Sequence, residues 1–533
     1  MDLSHYNQLN LFGADIMLDN FLDPDELCAT IQREISPLIK DTDFEDMYEG
    51  GGRPPISPRI MLLTLIMQFL ERLSDRAAAN NLKYRLDWKI AFGLPVDFPG
   101  IHNTTLVHFR DRLVENEKAS YVFDKVLDHL TSLGLVKKGK KQRIDSTHVI
   151  GNVRELSRLE LLHETLRLFC KDIFPYKGKL DEVLQNYHEL YVEKISTRGI
   201  TNVQREKYIN EAGLAMRTFL EWEKLSSLSK KILELKSYET LEIVFKQNFE
   251  DKNPDPENSP KLIKIATGKD HICSPHETDA RYSTKGGKGW IGYKVQVAET
   301  IGDEINFITY TEATDSTDHD GSIVAPYIKD QDEKGITPSE VYGDTHYNSE
   351  HNINCLEEQG INLKGPVAPI PNKEISKTNT GFSYDKEKVK VICPIGVESK
   401  KIFFQRNGKT SASFPQNECG KCERSEICQP QKRGKRVQIR FESDTLKNRR
   451  EEMKTEKYKE DMHHRNGIEG TISGLVRGQG MRRSKYRGKA KALLQNKLIG
   501  ASANITRLHR YNEIKRKQKV KVISTKLEMH TAS

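Results

Sequence analysis

Lys459-Glu460-Asp461-Met462-His463-His464-Arg465-Asn466-Gly467-Ile468-Glu469-Gly470-Thr471-Ile472-Ser473-Gly474 has the spacing of a helix. Arg465 and Glu469 are four residues apart and so share a face. His464, Ile468 and Ile472 repeat that interval beside them. A carboxylate one turn after an arginine, with the strongly basic Arg477–Lys491 following, suits a phosphate group. Taken alone, an Arg-x-x-x-Glu pair is more simply a solvated ion pair. Its meaning depends on two segments far upstream.

Those segments are Arg143-Ile144-Asp145-Ser146-Thr147-His148-Val149-Ile150 and Glu340-Val341-Tyr342-Gly343-Asp344-Thr345-His346-Tyr347. Each has an aspartate where a short apolar run gives way to small polar residues, which predicts an acid at a strand end. With Glu469 they give three carboxylates in the order Asp, Asp, Glu.

Composition narrows the class. The chain has 533 residues, 36% hydrophobic and 30% charged, so two or three globular domains are expected. No apolar run of about 18 residues predicts a membrane span, and Met1-Asp2-Leu3-Ser4-His5 does not open a signal peptide. Eight cysteines in a chain of this length fit a reducing compartment better than a disulfide scaffold. The net charge of +8 is uneven. Residues 431–533 hold 28 Lys and Arg against 10 Asp and Glu, a net +18, which leaves −10 for the first 430 residues. Such a block marks a polyanion-binding face; the alternative, a disordered basic tail, suits only Tyr511–Ser533.

Along the chain, a helix is expected over Pro24–Ile39. Ser57 and Pro58 should cap and open a strongly apolar helix, Ser74-Asp75-Arg76 another, and Asn103-Thr104-Thr105 a third. On its residues alone, this helical block reads as a helical packing domain. Residues 154–250 read as a helical insertion, with Leu159, Leu162, Leu166 and Phe169 on one face and Leu225, Leu228, Ile232 and Leu235 on another. Asp251–Pro260 reads as a linker. Lys285-Gly286-Gly287-Lys288-Gly289 is a tight basic turn leading to the alternating strand face Ile291, Tyr293, Val295 and Val297. Phe307–Tyr310 should form the next strand, a helix should follow near Ile323–Ile328, and Leu363–Val367 should be a fifth strand.

Cys393, Cys419, Cys422 and Cys428 have the count of a structural zinc site, although their spacing is imperfect. Reduced cysteines in a small β-rich flap are the alternative. His271, Cys273 and His276 lack a nearby fourth ligand.

Ile144-Asp145-Ser146-Thr147, Asp279-Ala280-Arg281, Gly292-Tyr293-Lys294, Tyr342-Gly343-Asp344 and Arg465-x-x-x-Glu469 together resemble the DDE transposases of bacterial insertion sequences. The likeness is to the insertion-sequence-four superfamily, in the branch named after insertion sequence 1182. It implies an α/β fold with a ribonuclease H-like catalytic core over residues 136–510. That core would carry a helical insertion at about 154–262 and a cysteine-containing β-rich insertion at about 370–445. A helical N-terminal DNA-binding and dimerisation domain would span 1–135, and a disordered basic tail 511–533. The first and fourth strands of such a core lie side by side.

The resemblance assigns catalysis to Asp145, Asp344, Glu469 and Arg465, with the three acids holding Mg²⁺ or Mn²⁺, two ions in all. DNA contacts are expected from Lys285, Lys288, Lys294, Arg477, Arg482, Arg483, Lys485, Arg487 and Lys489. The partners would be double-stranded DNA, as terminal inverted repeats and target, and a second copy in the DNA complex. The setting would be the bacterial cytoplasm and nucleoid. The resemblance also implies a hairpin formed on the transposon end during cleavage, but the family's Tyr and Lys signature positions hold Met462 and Val476 here, which puts that step in doubt. A nuclease of the same fold without strand transfer, or a domesticated DNA-binding protein without catalysis, would be the alternatives.

Overall fold

The computed structural model describes residues 21–48, 56–154, 156–194, 201–221, 230–250, 260–263, 270–302, 304–368, 382–385, 389–404, 410–424, 436–439 and 444–531. The chain divides into two compact units, Met1–Pro338 with Gly467–Ser533, and Ser339–Asn466. Cys428, Leu225, Leu228 and nearly all of the expected linker at Asp251–Pro260 lie outside the described residues.

In the first unit, helix α1 (Pro58–Leu70) begins where the Ser57 hydroxyl accepts the Ile60 amide at 3.3 Å, with Pro58 in its first turn. Every residue from Ile60 to Phe69 is buried, so this helix needs neighbours on all sides. Helix α2 (Tyr121–Ser132) buries Val122, Phe123, Val126, Leu127 and Leu130. Both belong to one apolar cluster that also takes in Val149, Val295, Val297, Ile468, Leu498 and Leu508. The N-terminal helices and the sheet therefore share a core. Upstream, the expected Pro24–Ile39 helix is broken into an α turn (Leu27–Thr30), a π turn (Ile31–Ile35) and a 3-10 turn (Ser36–Leu38) containing Pro37.

The sheet of this unit holds β1 (Gln142–Ile150), β2 (Arg281–Lys285), β3 (Lys288–Thr300) and β4 (Ile308–Asp315), with β3 antiparallel to the other three. The β2–β3 connection is two glycines, Gly286 at φ 58° and Gly287 at φ 76°, the left-handed pair that a tight hairpin between twisted strands requires. Asp145 stands opposite Val297 and Arg143 opposite Glu299. The pleat puts Arg143, Asp145, Thr147 and Val149 on one face. Helix α3 (Arg158–Asp172) opens the insertion with a capping box between Ser157 and Glu160. The insertion has its own apolar cluster, including Leu159, Leu162, Leu166, Phe169, Met216, Phe219 and Val244.

Buried His163 lies edge-on to Tyr191 at 5.3 Å, and burial holds its pKa down to about 4. The unfolded chain takes up that proton near 6.5 while the native protein resists it until about 4, so stability should fall as pH drops through this window. We expect the melting temperature of His163→Phe to fall less than that of the wild type between pH 6.5 and 4. Identical profiles would show that His163 protonates freely in the native state.

Helix α4 (Val324–Glu333) covers the opposite sheet face, where the Tyr327 hydroxyl donates to Gln142 Oε1 at 2.6 Å. Helix α5 (Glu456–Gln479) passes from the second unit into the first. Helix α6 (Lys489–Thr531) packs on β4, α1 and α2. It continues through the region expected to be a disordered tail. After Gly500 no Gly or Pro interrupts it, and its Lys, Arg, Glu and Gln residues are good helix formers. Among the described residues, no helix is long and apolar enough to cross a membrane.

The second unit has a parallel strand pair, β5 (Glu340–Tyr342) and β6 (Asn362–Lys364), joined through the helix Glu350–Glu357. Its cysteine-containing part consists of short antiparallel strands around Val391, Ala412 and Phe414. The whole is a mixed α/β protein.

Candidate active site

Asp145 is half-buried in the middle of β1, not at its end. Its Oδ1 accepts the Ser146 amide at 2.7 Å. The strand runs on to Ile150 because its polar residues are engaged. Thr147 Oγ1 and the His148 carbonyl accept from Arg482 Nη1 at 3.1 and 2.7 Å. His148 lies 4.9 Å from the Trp290 ring, and burial with Arg482 and Lys285 nearby lowers its pKa to about 4.

Helix α5 meets this strand through the Arg143 side chain. Ile468, Ile472 and Leu475 are buried in the main core. Gly467 abuts the Arg143 guanidinium so closely that a methyl group there would overlap it. Glu469, about 100° around the helix from Ile468, is exposed on the flank. Asp145 shares the Arg143 face of β1, whereas Glu469 lies about 200° around α5 from Gly467, so its side chain leaves the helix on the side away from the Arg143 contact.

On the sheet face of Asp145 is a group that sequence reasoning missed. Glu299 is 0% exposed. Its Oε1 accepts from Arg143 Nε at 2.7 Å, and its Oε2 from Arg507 Nη1 at 2.9 Å. The Thr471 hydroxyl lies 2.9 and 2.8 Å from the two oxygens and accepts from Arg507 Nη2 at 3.0 Å. The signal was present: Glu299 continues the apolar alternation Tyr293, Val295, Val297, and an acid in phase with a buried face needs a buried partner.

In the second unit, Asp344 lies two residues past β5, half-buried. Its Oδ1 accepts the His346 amide at 2.8 Å and its carbonyl accepts Asn348 Nδ2 at 2.8 Å. Nearby, the Lys364 ammonium bridges Glu340 at 3.4 Å and Asp461 at 2.8 Å. Arg465 is half-buried on α5 within this unit.

The carboxylate oxygens of Asp145, Asp344 and Glu469 are hard donors of the kind Mg²⁺ and Mn²⁺ take. Among the described residues, however, no three His, Cys, Asp or Glu side chains are gathered as a group that could hold a metal ion. This applies to the cysteines too. Cys393 and Cys422 accept the Val397 and Arg424 amides at 3.3 and 3.4 Å, and Cys419 packs against the small apolar cluster. His276 pairs with Glu164 at 2.6 Å.

The basic residues expected on DNA sort into two sets. Lys485 donates to the Leu73 carbonyl at 3.0 Å and lies 4.9 Å over the Phe69 ring. Lys489 pairs with Asp315 at 2.9 Å and Lys294 with Asp320 at 3.1 Å. With Arg482 they hold the fold together. Lys285, Lys288, Arg477, Arg483 and Arg487 are exposed, and so is Lys485 despite its bond to Leu73. The Asp279-Ala280-Arg281 and Gly292-Tyr293-Lys294 motifs also have structural work. Asp279 Oδ2 accepts the Lys489 amide at 2.6 Å and Glu277 Oε1 accepts the Gly488 amide at 3.0 Å, capping the start of α6. The Tyr293 hydroxyl lies 2.7 Å from Glu277 Oε1 and 2.8 Å from Asp279 Oδ1. At Gly292 (φ 153°) a side chain would overlap the Val149 carbonyl of β1.

Comparison with known families bears on both ends of the chain. Residues 392–509 match a family model described as Transposase DDE domain, and residues 16–112 match one described as Transposase domain (DUF772). Together they indicate a transposase family. Arg465 and Glu469 lie inside the first match, whereas Asp145 and Asp344 lie outside both. No curated protein and no solved structure matches the chain.

Proposed function

We propose that this chain is a DNA transposase of the insertion-sequence-four superfamily, in the branch named after insertion sequence 1182. It would cut strands at transposon ends and transfer the 3′ ends to target DNA, with Asp145, Asp344 and Glu469 as its acidic residues on a ribonuclease H-like core. The observation that supports this most is the contact of the Glu469 helix, which lies in the match to the transposase DDE domain, with the Arg143 side chain from the strand of Asp145. Bound Mg²⁺ or Mn²⁺ would activate the attacking hydroxyl and neutralise the leaving oxygen. Arg465 offers the planar fork that grips a phosphate with two hydrogen bonds. A homodimer on paired ends, in the bacterial cytoplasm, completes this reading. The test is cleavage and joining in vitro, with the DNA flanking the gene as ends and Mg²⁺ present. Absence of end cleavage by the wild-type chain would refute it.

The sorting of cations makes a separate expectation. Arg487→Ala should weaken binding to every duplex alike and reduce the slope of log affinity against log salt by roughly one unit. Lys485→Ala should instead lower thermal stability, because its ammonium satisfies the Leu73 carbonyl. Salt titrations and melting curves of the two variants check this; a change of sequence preference in Arg487→Ala would contradict it.

A further inference from the structure

We propose that Glu299 and Thr471 are positioning residues: through Arg143 and Thr471, the buried Glu299 carboxylate fixes the rotation of α5 on β1 and so the direction of Glu469. This rests on Asp145 and Glu469 being active-site acids. Apolar packing through Ile468, Ile472 and Leu475 holds the helix against the core, but such packing is non-directional and tolerates small rolls. A side chain about 5 Å from a helix axis moves about 0.9 Å for a 10° roll. A misplacement of about 1 Å at a reacting centre can cost on the order of 100-fold in rate.

The structure opposes that roll at two points one turn apart on one face. At Gly467 the helix backbone lies against the Arg143 guanidinium, which Glu299 holds from the other side. At Thr471 the hydroxyl is fixed between both Glu299 oxygens and Arg507. The glycines of α5 make the point by contrast. A Cβ at Gly470, Gly474 or Gly478 would meet nothing within 4 Å, whereas one at Gly467 would strike the guanidinium. Glycine inside a helix is destabilising relative to alanine, and at Gly467 the close approach accounts for it.

The experiment uses the full chain and four variants: Thr471→Val, Thr471→Ser, Gly467→Ala and Gly470→Ala. Melting temperature, amide hydrogen exchange over residues 464–475, end binding, cleavage rate and the Mn²⁺ concentration for half-maximal cleavage are measured for each. Thr471→Val keeps shape and loses the hydroxyl; Gly467→Ala pushes on the Arg143 guanidinium that Glu299 holds and leaves Thr471 in place. Both should cleave about 10- to 100-fold more slowly and need more Mn²⁺. Their end binding and helix protection should stay near wild type. Thr471→Ser should restore cleavage, and Gly470→Ala should behave as wild type. If Thr471→Val and Gly467→Ala cleave at the wild-type rate, or lose activity only in proportion to lost protection and melting temperature, the proposal is overturned. If Glu469→Gln cleaves normally, the assignment of the acids fails independently of the clamp.

Discussion

Glu469→Gln should bind transposon-end DNA like the wild type and fail to cut it. The side chain is exposed on the flank of α5, and surface substitutions of this kind usually change stability by no more than about 0.5 kcal/mol. Glutamine preserves the volume and one acceptor oxygen but removes the charge that a divalent ion needs. A metal ion contributes several kcal/mol of transition-state stabilisation; losing about 4 kcal/mol would slow cleavage roughly 1000-fold. Asp145→Asn should behave alike, since its oxygen can still accept the Ser146 amide. Cleavage of labelled ends, end-binding affinity and melting curves separate the effects. An active Glu469→Gln variant, or one inactive because it no longer folds, would remove Glu469 from the chemistry.

The elements that local physics decides were legible in the sequence. Ser57 with Pro58, and Ser74, start helices where expected because a hydroxyl and an imino ring act within one turn. Leu159, Leu162, Leu166 and Phe169 are all buried, as their 3, 4, 3 spacing requires. The polar run Ser146-Thr147-His148 was misleading because its partners come from residues more than 140 positions away, Trp290 and Arg482. Likewise α1, apolar on every side, read as the heart of a separate N-terminal domain, yet one of its neighbours is α6, more than 400 residues later. Charge made Tyr511–Ser533 look disordered, although Lys and Arg are also good helix formers and α6 runs on to Thr531. For the site, residue type and order singled out Asp145, Asp344 and Glu469. The environment that sets their aim depends on long-range pairing that spacing does not encode, and Glu299 is the clearest instance.

Glu299→Leu should be among the most destabilising single substitutions in the chain. Arg143 is only 9% exposed and Arg507 22%, and both point at the carboxylate that would vanish. Leucine fills similar space but leaves two guanidinium groups and the Thr471 hydroxyl without their acceptor. Breaking a buried ion pair by removing one partner typically costs about 3–5 kcal/mol, because the remaining charge is stranded in a poorly solvating site. The denaturation midpoint should fall accordingly, with little change in slope. The triple variant Glu299→Leu, Arg143→Met, Arg507→Leu removes the stranded charges, and well-packed apolar replacements of buried ion clusters are often neutral or stabilising. It should recover much of the lost stability. It should not recover cleavage, because an apolar patch cannot impose the directional hold that two arginines and a threonine place on α5. Denaturant titrations of the single and triple variants, alongside end cleavage by the triple, test the distinction. A triple variant that is stable and cuts DNA at the wild-type rate would show that the buried charges serve stability alone.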